Sequence, residues 1–433
     1  MTAQRTYWRD IRWQASGNAL AQLVGILGMP LLTRLYMPAD FATQSLFAQG
    51  AMFLAGLVTM RLEYFIQLPD SHADALRMLS FIGLIGLLLA AAFSLGLWCL
   101  REPIAQLASS TSLAPWLVLV PWAALAISLS VALQHFAQRN QDYRSSGLAE
   151  LSGKVGYVGV AALLAPAGHG IGLILSIAAG AASKGLHLWL GSVRRQLREQ
   201  LAGSLRTDLA AGARMAHRYS RLSGSLVGSH MLATVTGAAP LLYLSHAYGS
   251  DPLGQFALVM STIFLPASLL GAAVGQVYYQ RAAADWAAGR TIHGLWKSTL
   301  DKLCRYGLPT YLGIALISPW AYPWIFGGQW QASGELARYL AISGFFSLIS
   351  SPMDRTCLIV GAWRYPLLWH TGRMVTTLLV IVWAHVTAQP LTNFVQALVA
   401  QMASLYIVDL FANRHFARRV PTPFRTDGQH AQS

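Results

Sequence analysis

Residues 78–100 read MLSFIGLIGLLLAAAFSLGLWCL, 23 consecutive positions without a charged side chain. A helix of about 20 apolar residues crosses the roughly 30 Å hydrocarbon core of a bilayer. Residues 13–33 and 41–60 have the same character. Lipid offers no partner to an unpaired backbone group, so such spans are helices or closed barrels, and barrel strands are shorter and alternate. The sequence therefore predicts an all-α integral membrane protein.

The overall composition supports lipid as the solvent. Of 433 residues, 55% are hydrophobic and only 11% are charged, against roughly 25% charged in soluble proteins. The net charge is +14 and the pI is about 10.0, values that would suggest nucleic-acid binding in a soluble protein. Here the basic residues lie where anionic headgroups attract them, so the predicted partner is the lipid bilayer and not nucleic acid.

About twelve transmembrane helices are predicted. They fall at 12–33, 41–62, 78–100, 113–134, 148–165, 170–190, 221–244, 254–279, 304–326, 337–359, 366–387 and 391–411. Lys and Arg accumulate on cytoplasmic loops. With both termini in the cytoplasm, only Arg34, Arg101 and Arg338 of the 31 basic residues fall on the other side. The charge distribution thus supports both the helix count and cytoplasmic N- and C-termini.

The spans divide into two groups of six. We expect an N-terminal six-helix bundle at 1–190, a basic cytoplasmic linker at 191–220, a C-terminal six-helix bundle at 221–411 and a cytoplasmic tail at 412–433. A Pro-Leu-Leu triplet occurs at 30–32 and again at 240–242, equally far into each half. Two repeated halves with the substrate between them are typical of transporters.

Two polar stripes lie on apolar predicted helices. The first helix of each half carries polar side chains at i, i+4 and i+8. They are Gln14, Asn18 and Gln22 in one half and Arg221, Ser225 and Ser229 in the other. Such residues either line a hydrated cavity or form hydrogen bonds between helices. Both interpretations stay open, and the position on the first helix of each half favours the cavity.

Charged side chains within the spans could form a cationic cavity. The candidates are Arg61, Lys154, Lys184, Arg355 and Arg373. Arg373 lies about 10 Å into its helix, which favours the cavity. For Arg61, Lys184 and Arg355 the alternative is that the side chain reaches back to the headgroups. Lys154 follows Glu150 by one helical turn, in the order that favours an ion pair.

A cationic chamber open to water has an evident use. It could bind a pyrophosphate head, with arginine supplying bidentate donors and lysine a mobile point charge. The lipid tail would stay in the bilayer while the polar part crosses through the protein. Rocking of the two halves would then open the chamber to each side in turn.

The sequence lacks the motifs of an enzyme or a metalloprotein. Cys99, Cys304 and Cys357 form no CxxC pair. No Walker loop, GxSxG or HExxH sequence occurs, and the 12 histidines are scattered. We therefore expect neither a catalytic site nor a metal nor a cofactor, and transport without covalent chemistry is the simplest interpretation.

Three segments resemble a known family. They are PLLTRLYMPADFATQSLF at 30–47, RLEYFIQLP at 61–69 and GQVYYQRAA at 275–283. These are similar to segments of the polysaccharide-export branch of the MOP superfamily, which includes the O-antigen flippases. Phe65 replaces a small residue of the family pattern, and Ala42 stands where glycine is common. Arg34, Arg61 and Glu63 match family positions, which adds Arg34 to the substrate-binding candidates.

The resemblance implies a MATE-like flippase of the bacterial inner membrane. It would move undecaprenyl-pyrophosphate-linked oligosaccharide repeat units to the periplasmic leaflet for O-antigen, capsule or exopolysaccharide synthesis. It would act as a monomer alongside a polysaccharide polymerase and chain-length machinery. Glu63 and Glu150 are candidates for coupling transport to protons or sodium.

Two alternatives stay open. A multidrug or toxic-compound exporter of the same superfamily would need a carboxylate deep in the membrane. The acids noted within the spans, Glu63, Glu150 and Asp354, each have a basic neighbour. A polysaccharide polymerase or ligase would need a large periplasmic loop, and the longest outer connections, 101–112 and 327–336, are short.

Overall fold

The structure is a computed structural model that describes residues 2–168, 170–194, 196 and 205–420. Every regular element in these residues is helical. The helices of the first part of the chain are α1 (Thr2–Leu35), α2 (Pro38–Val58), α3 (His72–Leu107), α4 (Val120–Arg139), α5 (Tyr143–Leu163), α6 (Ile171–Leu188) and α7 (Leu205–Arg218). They are followed by α8 (Ser220–Tyr248), α9 (Ser250–Ala287), α10 (His293–Phe326), α11 (Gln331–Ser350), α12 (Thr356–Ile359), α13 (Tyr365–Val386) and α14 (Leu391–Ala417).

Ten of the described helices are long and apolar enough to cross a membrane. The chain is a multi-pass membrane protein, and the all-α prediction is confirmed. The predicted spans 304–326 and 337–359 overlap with α10, which begins earlier at His293, and with α11, and both helices are less apolar. Proline, tryptophan and tyrosine lower the hydropathy of α10, and Glu335 and Arg338 lower that of α11. The side on which the termini lie stays a prediction.

The tenth predicted helix is placed wrongly at its end. We expected it to run to residue 359, whereas α11 ends at Ser350. Pro352 follows two residues later within a short 3-10 turn. Proline has no N–H to donate and disfavours the helical conformation of the residue before it. The chain therefore turns here before α12.

The beginning of α2 shows how the sequence ends one helix and starts the next. Pro38 occupies the first turn, where a missing N–H costs nothing. The Asp40 carboxylate accepts a hydrogen bond of 3.0 Å from the backbone N–H of Met37. The negative charge of an acidic residue in the first turn also interacts favourably with the positive end of the helix dipole. Together these residues make a short reversal between α1 and α2.

The chain forms two compact units. The first extends to Gln255 and includes Ile325–Gln329; the second contains Phe256–Trp324 and the chain from Trp330 onward. The first unit includes α8, which packs on α2. From the sequence we expected this helix in the C-terminal bundle. The division into two six-helix bundles stays a prediction.

Small residues bring the helices of the first unit close together. A Cβ atom added to Gly17 on α1 would overlap the backbone of Gly147 on α5. A Cβ added to Gly153 on α5 would lie 3.2 Å from both the carbonyl oxygen of Gly180 and the Cβ of Lys184. Close helix packing through small residues is characteristic of membrane proteins. It brings polar groups of α5 and α6 within reach of each other.

The basic linker contains a docked helix. Residues 197–204 lie outside the described part of the chain, whereas α7 packs on α3. The Arg77 Nε atom lies 2.9 Å from Asp208 Oδ1. A Cβ on Gly212 would overlap the carbonyl oxygen of Arg77. The linker is therefore attached to the first unit through α7.

Candidate functional site

The R-x-E segment forms a tight turn after α2. Met60 and Arg61 adopt left-handed φ angles of 52° and 56°. Such angles are uncommon for residues other than glycine and persist only where surrounding contacts stabilise them. A 3-10 turn, Leu62–Phe65, follows directly. The turn buries the Glu63 side chain and leaves the Arg61 side chain partly accessible.

Glu63 lies inside the first unit. Its side chain is 1% exposed, and Thr59 Oγ1 donates a hydrogen bond of 2.6 Å to Glu63 Oε2. The Nη1 atom of Arg61 lies 3.6 Å from Glu63 Oε1. Burial raises the pKa of Glu63 above its ordinary value, and the hydrogen bond from Thr59 and the charge of Arg61 oppose that rise in part.

Arg61 connects this turn to α8. Its Nη2 atom contacts Nδ1 of His230, and its guanidinium lies 5.2 Å from the centre of the Tyr64 ring. Arginine can only donate, so His230 Nδ1 accepts and the ring proton lies on Nε2. That Nε2 is 2.7 Å from the carbonyl oxygen of Met52 on α2. His230 is therefore neutral and bridges Arg61 to α2.

Two further features hold α8 at this place. Ser223 Oγ donates a hydrogen bond of 2.5 Å to the carbonyl oxygen of Met60. A Cβ on Gly56 of α2 would overlap the His230 ring, so the imidazole needs glycine opposite it. The turn is also held from α4, where His135 Nδ1 lies 2.8 Å from the carbonyl oxygen of Glu63. We call Thr59, Arg61, Glu63, Tyr64, His135, Ser223 and His230 the arginine-turn cluster.

Glu150 pairs with a different lysine from the expected one. Lys184 Nζ lies 2.7 Å from Glu150 Oε1, and Gln134 Nε2 on α4 donates to the same oxygen at 3.0 Å. The predicted partner, Lys154, is exposed and lies beside Gly25 of α1. Glu150 pairs with Lys184 and not with Lys154 because the close packing of α5 on α6 places Lys184 next to it. Lys184 is thus largely neutralised.

Arg34 and Arg61 do not lie together. Arg34 is in the last turn of α1, beside the start of α2, and its Nη2 is 3.4 Å from the carbonyl oxygen of Ile325. Arg61 follows the other end of α2, which has 21 residues and is therefore about 30 Å long. One phosphate group cannot contact both side chains in this arrangement.

The remaining predicted residues are distributed over both units. In the first, Gln14 Nε2 donates to Asn18 Oδ1 at 3.4 Å, while Gln14 Oε1 is buried without a partner. Gln22 is half-buried, whereas Arg221, Ser225 and Ser229 are exposed. In the second, Arg355 is exposed and Arg373 is half-buried on α13. Their role as a binding surface stays a prediction.

Sequence reasoning missed a buried acid, Asp409 on α14. It is 5% exposed and receives hydrogen bonds from Tyr365 OH at 2.8 Å and from Ser350 Oγ. Asn413 donates to its backbone carbonyl, and the Oδ1 atom of Asn413 is buried without a partner. Among the described residues no cation pairs with Asp409. The sequence did contain a signal for this residue, because Asp409 is the only acidic residue between positions 391 and 417.

His230 was also missed as a site residue. In the sequence it is one of 12 scattered histidines that form no recognisable motif. The pattern of a single helix does not reveal that an imidazole meets Arg61 and Met52. Gly56 of α2 leaves room for the His230 ring. That role can be recognised only once the packing of α8 on α2 is known.

Comparison with known proteins identifies the family. Residues 31–335 match the model of a family described as polysaccharide biosynthesis protein. This range covers more than half of the chain and includes the whole arginine-turn cluster. The chain has no significant match among curated protein sequences.

Solved structures share the fold. The chain is similar to the inward-facing conformation of a multidrug resistance MATE family transporter of the MOP superfamily, with a TM-score of 0.57, 12% identity and 94% of each chain covered. It is similar to the eukaryotic MATE transporter AtDTX14, with a TM-score of 0.55, 13% identity and coverage of 95% and 98%.

A third similar structure is a MOP superfamily transporter from Pyrococcus furiosus, reported with a reversed polarity of its binding pocket. Its TM-score is 0.54 at 13% identity, and 94% of each chain is covered. At such identities the likeness concerns the fold. The chain is therefore a member of the polysaccharide biosynthesis protein family and has the fold of the MOP superfamily transporters.

Proposed function

We propose that this protein is a flippase for a lipid-linked oligosaccharide. It moves a polyprenyl-pyrophosphate-linked repeat unit from the cytoplasmic to the outer leaflet of the bacterial inner membrane. The mechanism is alternating access, in which the polar part crosses through the protein and the lipid tail remains in the bilayer. No covalent bond is made or broken in the process.

The observation that carries the proposal is a polysaccharide-biosynthesis sequence in a transporter fold. The family match covers residues 31–335, and the fold is that of MOP superfamily transporters. A protein with this fold serves polysaccharide synthesis most directly by moving a precursor across the membrane. Polymers exported in this way are assembled from amphiphilic lipid-linked units, which cannot cross a bilayer unaided.

The arginine-turn cluster supports binding of an anionic head group. The Arg61 side chain is 20% exposed and is fixed from one side by His230 and Tyr64. A guanidinium held in position loses little conformational freedom when a phosphate binds. Since Glu63 is buried behind it, the accessible face of this pair is cationic. Arg61 would therefore make the first contact with the pyrophosphate, as the substrate enters at this end of α2.

The test is the location of lipid-linked oligosaccharide in a deletion strain. We expect single repeat units to accumulate on the cytoplasmic leaflet and the wild-type gene to restore their transfer. Accumulation on the outer leaflet would point to a polymerase or ligase instead. Normal transfer without accumulation would contradict the flippase function.

Asp409 favours a second candidate function, export of organic cations. A multidrug exporter needs a membrane carboxylate that can exchange a proton or a cation for its substrate. Asp409 is buried within α14 and is hydrogen-bonded by the neutral hydroxyls of Ser350 and Tyr365. Increased sensitivity of the deletion strain to cationic dyes, with unaltered oligosaccharide transfer, would support this function over the flippase.

A further inference from the structure

The second unit contains a groove between α9 and α10. Its volume is about 620 Å³, within the range of roughly 300–1,000 Å³ that is usual for ligand sites. The described residues that line it belong to α9 and α10, together with Leu348 of α11. From Pro266 to Arg281 the wall on α9 is about 22 Å long.

The GQVYYQR segment at 275–281 supplies three residues to the lining of the groove. Tyr278 is buried and its hydroxyl lies 2.8 Å from Thr356 Oγ1, so this residue attaches the helix and also lines the groove. Val277 and Arg281 line the groove one helical turn apart. Leu270 and Val274 continue this stripe toward Pro266. The segment thus attaches α9 through Tyr278 and shapes the groove with Val277 and Arg281.

The groove is apolar along its length and cationic at one end. Leu270 and Val277 are 52% and 53% exposed, so the apolar wall is open to an occupant. Because α9 and α10 are joined by a short turn, Arg281 near the end of α9 and Lys302 near the start of α10 line the same end of the groove. Ser298 and Thr299 add hydroxyl groups at the same end.

The two cations are available to bind an anion. Among the described residues, neither Arg281 nor Lys302 forms an ion pair. The carboxylate of Asp285 is already 2.6 Å from Arg290. Asp301 precedes Lys302 directly, and adjacent positions of a helix point in different directions. A planar guanidinium and a mobile ammonium together match the oxygens of a phosphate or pyrophosphate.

We propose that this groove binds the polyprenyl-pyrophosphate part of the lipid-linked substrate. The pyrophosphate lies against Arg281 and Lys302, and the first isoprene units lie along Val277, Val274 and Leu270. The charge at one end and the apolar length of the wall match this amphiphile, whereas a free sugar or a free phosphate would use only one part of the site. The inference rests on the proposed function and names the part of the substrate that the second unit holds.

The first experiment measures binding of undecaprenyl pyrophosphate to the purified full-length protein in nanodiscs. We expect R281A/K302A to bind about tenfold more weakly or worse, because both charge-assisted contacts are lost. The matched control is K297A/R305A. It also removes one lysine and one arginine, but from exposed positions of α10 that do not line the groove. Equal affinity of R281A/K302A and wild type would overturn the proposal.

Lipid specificity provides a second arm. We expect phosphatidylglycerol and inorganic pyrophosphate to compete poorly, since the first lacks the polyprenyl chain and the second lacks any chain. Filling the apolar wall with V277W or the milder A273L should weaken lipid binding while the thermal stability is retained. Equal competition by phosphatidylglycerol would show a general anionic-lipid surface and overturn the proposal.

The two proposals fail in different ways. If the deletion strain transfers oligosaccharide normally, the flippase function fails whatever the groove binds. If the deletion strain accumulates oligosaccharide and R281A/K302A restores wild-type transfer, the groove assignment alone fails. Transfer that falls in R281A/K302A and V277W but not in K297A/R305A supports both.

Discussion

The guanidinium of Arg61, in the turn after α2, contacts Nδ1 of His230 on α8, 169 positions further along the chain. His230 in turn donates from Nε2 to the carbonyl oxygen of Met52. One neutral imidazole thus orients the most accessible cation of the turn. Because Arg61 both contacts its neighbours and keeps an accessible face, its variants should affect transport as well as the stability of the turn.

The Arg61 variants test binding of the head group. R61A should lower transfer of the lipid-linked oligosaccharide about tenfold or more, since a fixed bidentate donor is lost. R61K should retain an intermediate activity because it keeps the charge without the planar fork. Transfer is measured with membrane amounts matched to wild type. R101A, in the last part of α3, is the control, and wild-type transfer by R61A would refute a role in binding.

Replacing Gly56 tests the packing of α8. G56A should destabilise the protein by about 1–3 kcal/mol, because its Cβ overlaps the His230 ring. The control is G83A, where an added Cβ would meet no atom within 4 Å apart from the adjoining chain of its own helix and alanine favours the helix by roughly 0.5–1 kcal/mol. Thermal unfolding in detergent measures both. If the overlap is the cause, G56A/H230A should recover part of the loss relative to G56A.

Glu63 should make stability depend on pH. Its pKa is raised from 4.5 by burial, so the folded state binds the proton more tightly than the unfolded state does. Stability relative to E63Q is then greatest at low pH and falls as the pH rises from about 4.5 through the raised pKa. Melting temperatures of wild type and E63Q between pH 4.5 and 8 measure the difference. E102Q, at an exposed position, should show no such trend, and a pH-independent gap for E63Q would contradict the prediction.

The pair of Glu150 and Lys184 should show energetic coupling. E150Q and K184M should each destabilise the protein, because each leaves one charge between helices. The double variant should lose less than the sum, with a coupling of roughly 1–3 kcal/mol for this half-buried pair. K154M combined with E150Q should be additive, since Lys154 is exposed. Coupling to Lys154 in place of Lys184 would contradict the observed pairing.

Asp409 is a test of ion coupling. D409N keeps the size of the side chain, and its Oδ1 can still accept from one of the two hydroxyls while its Nδ2 donates to the other, but it cannot change charge. We expect it to insert normally and to lose the dependence of transport on a proton or sodium gradient. Transport is measured in vesicles with imposed gradients, and D301N is the exposed control. A wild-type gradient dependence in D409N would direct attention back to Glu63 and Glu150.

Helix positions were predictable because apolar length is a local property. The beginnings of α8 and α9 lie within four residues of the expected ones. The predicted end of α11 was wrong, since the predicted span continued past Pro352, where the helix is interrupted. The segment at 61–63 was likewise recognised in the sequence. Its left-handed turn was not predicted, because it depends on contacts with α4 and α8, which are distant in the sequence.

Residue partners were less predictable because they depend on packing between distant helices. Glu150 has Lys154 one helical turn away on its own helix, yet it pairs with Lys184 across a glycine-rich contact. Asp409 stood out as a lone acid, but its partners come from the end of α11 and the start of α13. Local periodicity predicts which face a residue occupies and not what lies opposite.

The left-handed turn at Met60 and Arg61 also bears on how the protein is made. Its contacts with Ser223 and His230 join residues 163 and 169 positions apart. At about 5–20 residues per second, a ribosome needs roughly 8–34 s to synthesise that interval. The first two helices therefore enter the membrane long before the helix that completes their connection exists. The contacts of the turn with α8 can form only at that late stage, and a nascent chain stopped before Ser223 should leave Arg61 without its imidazole partner.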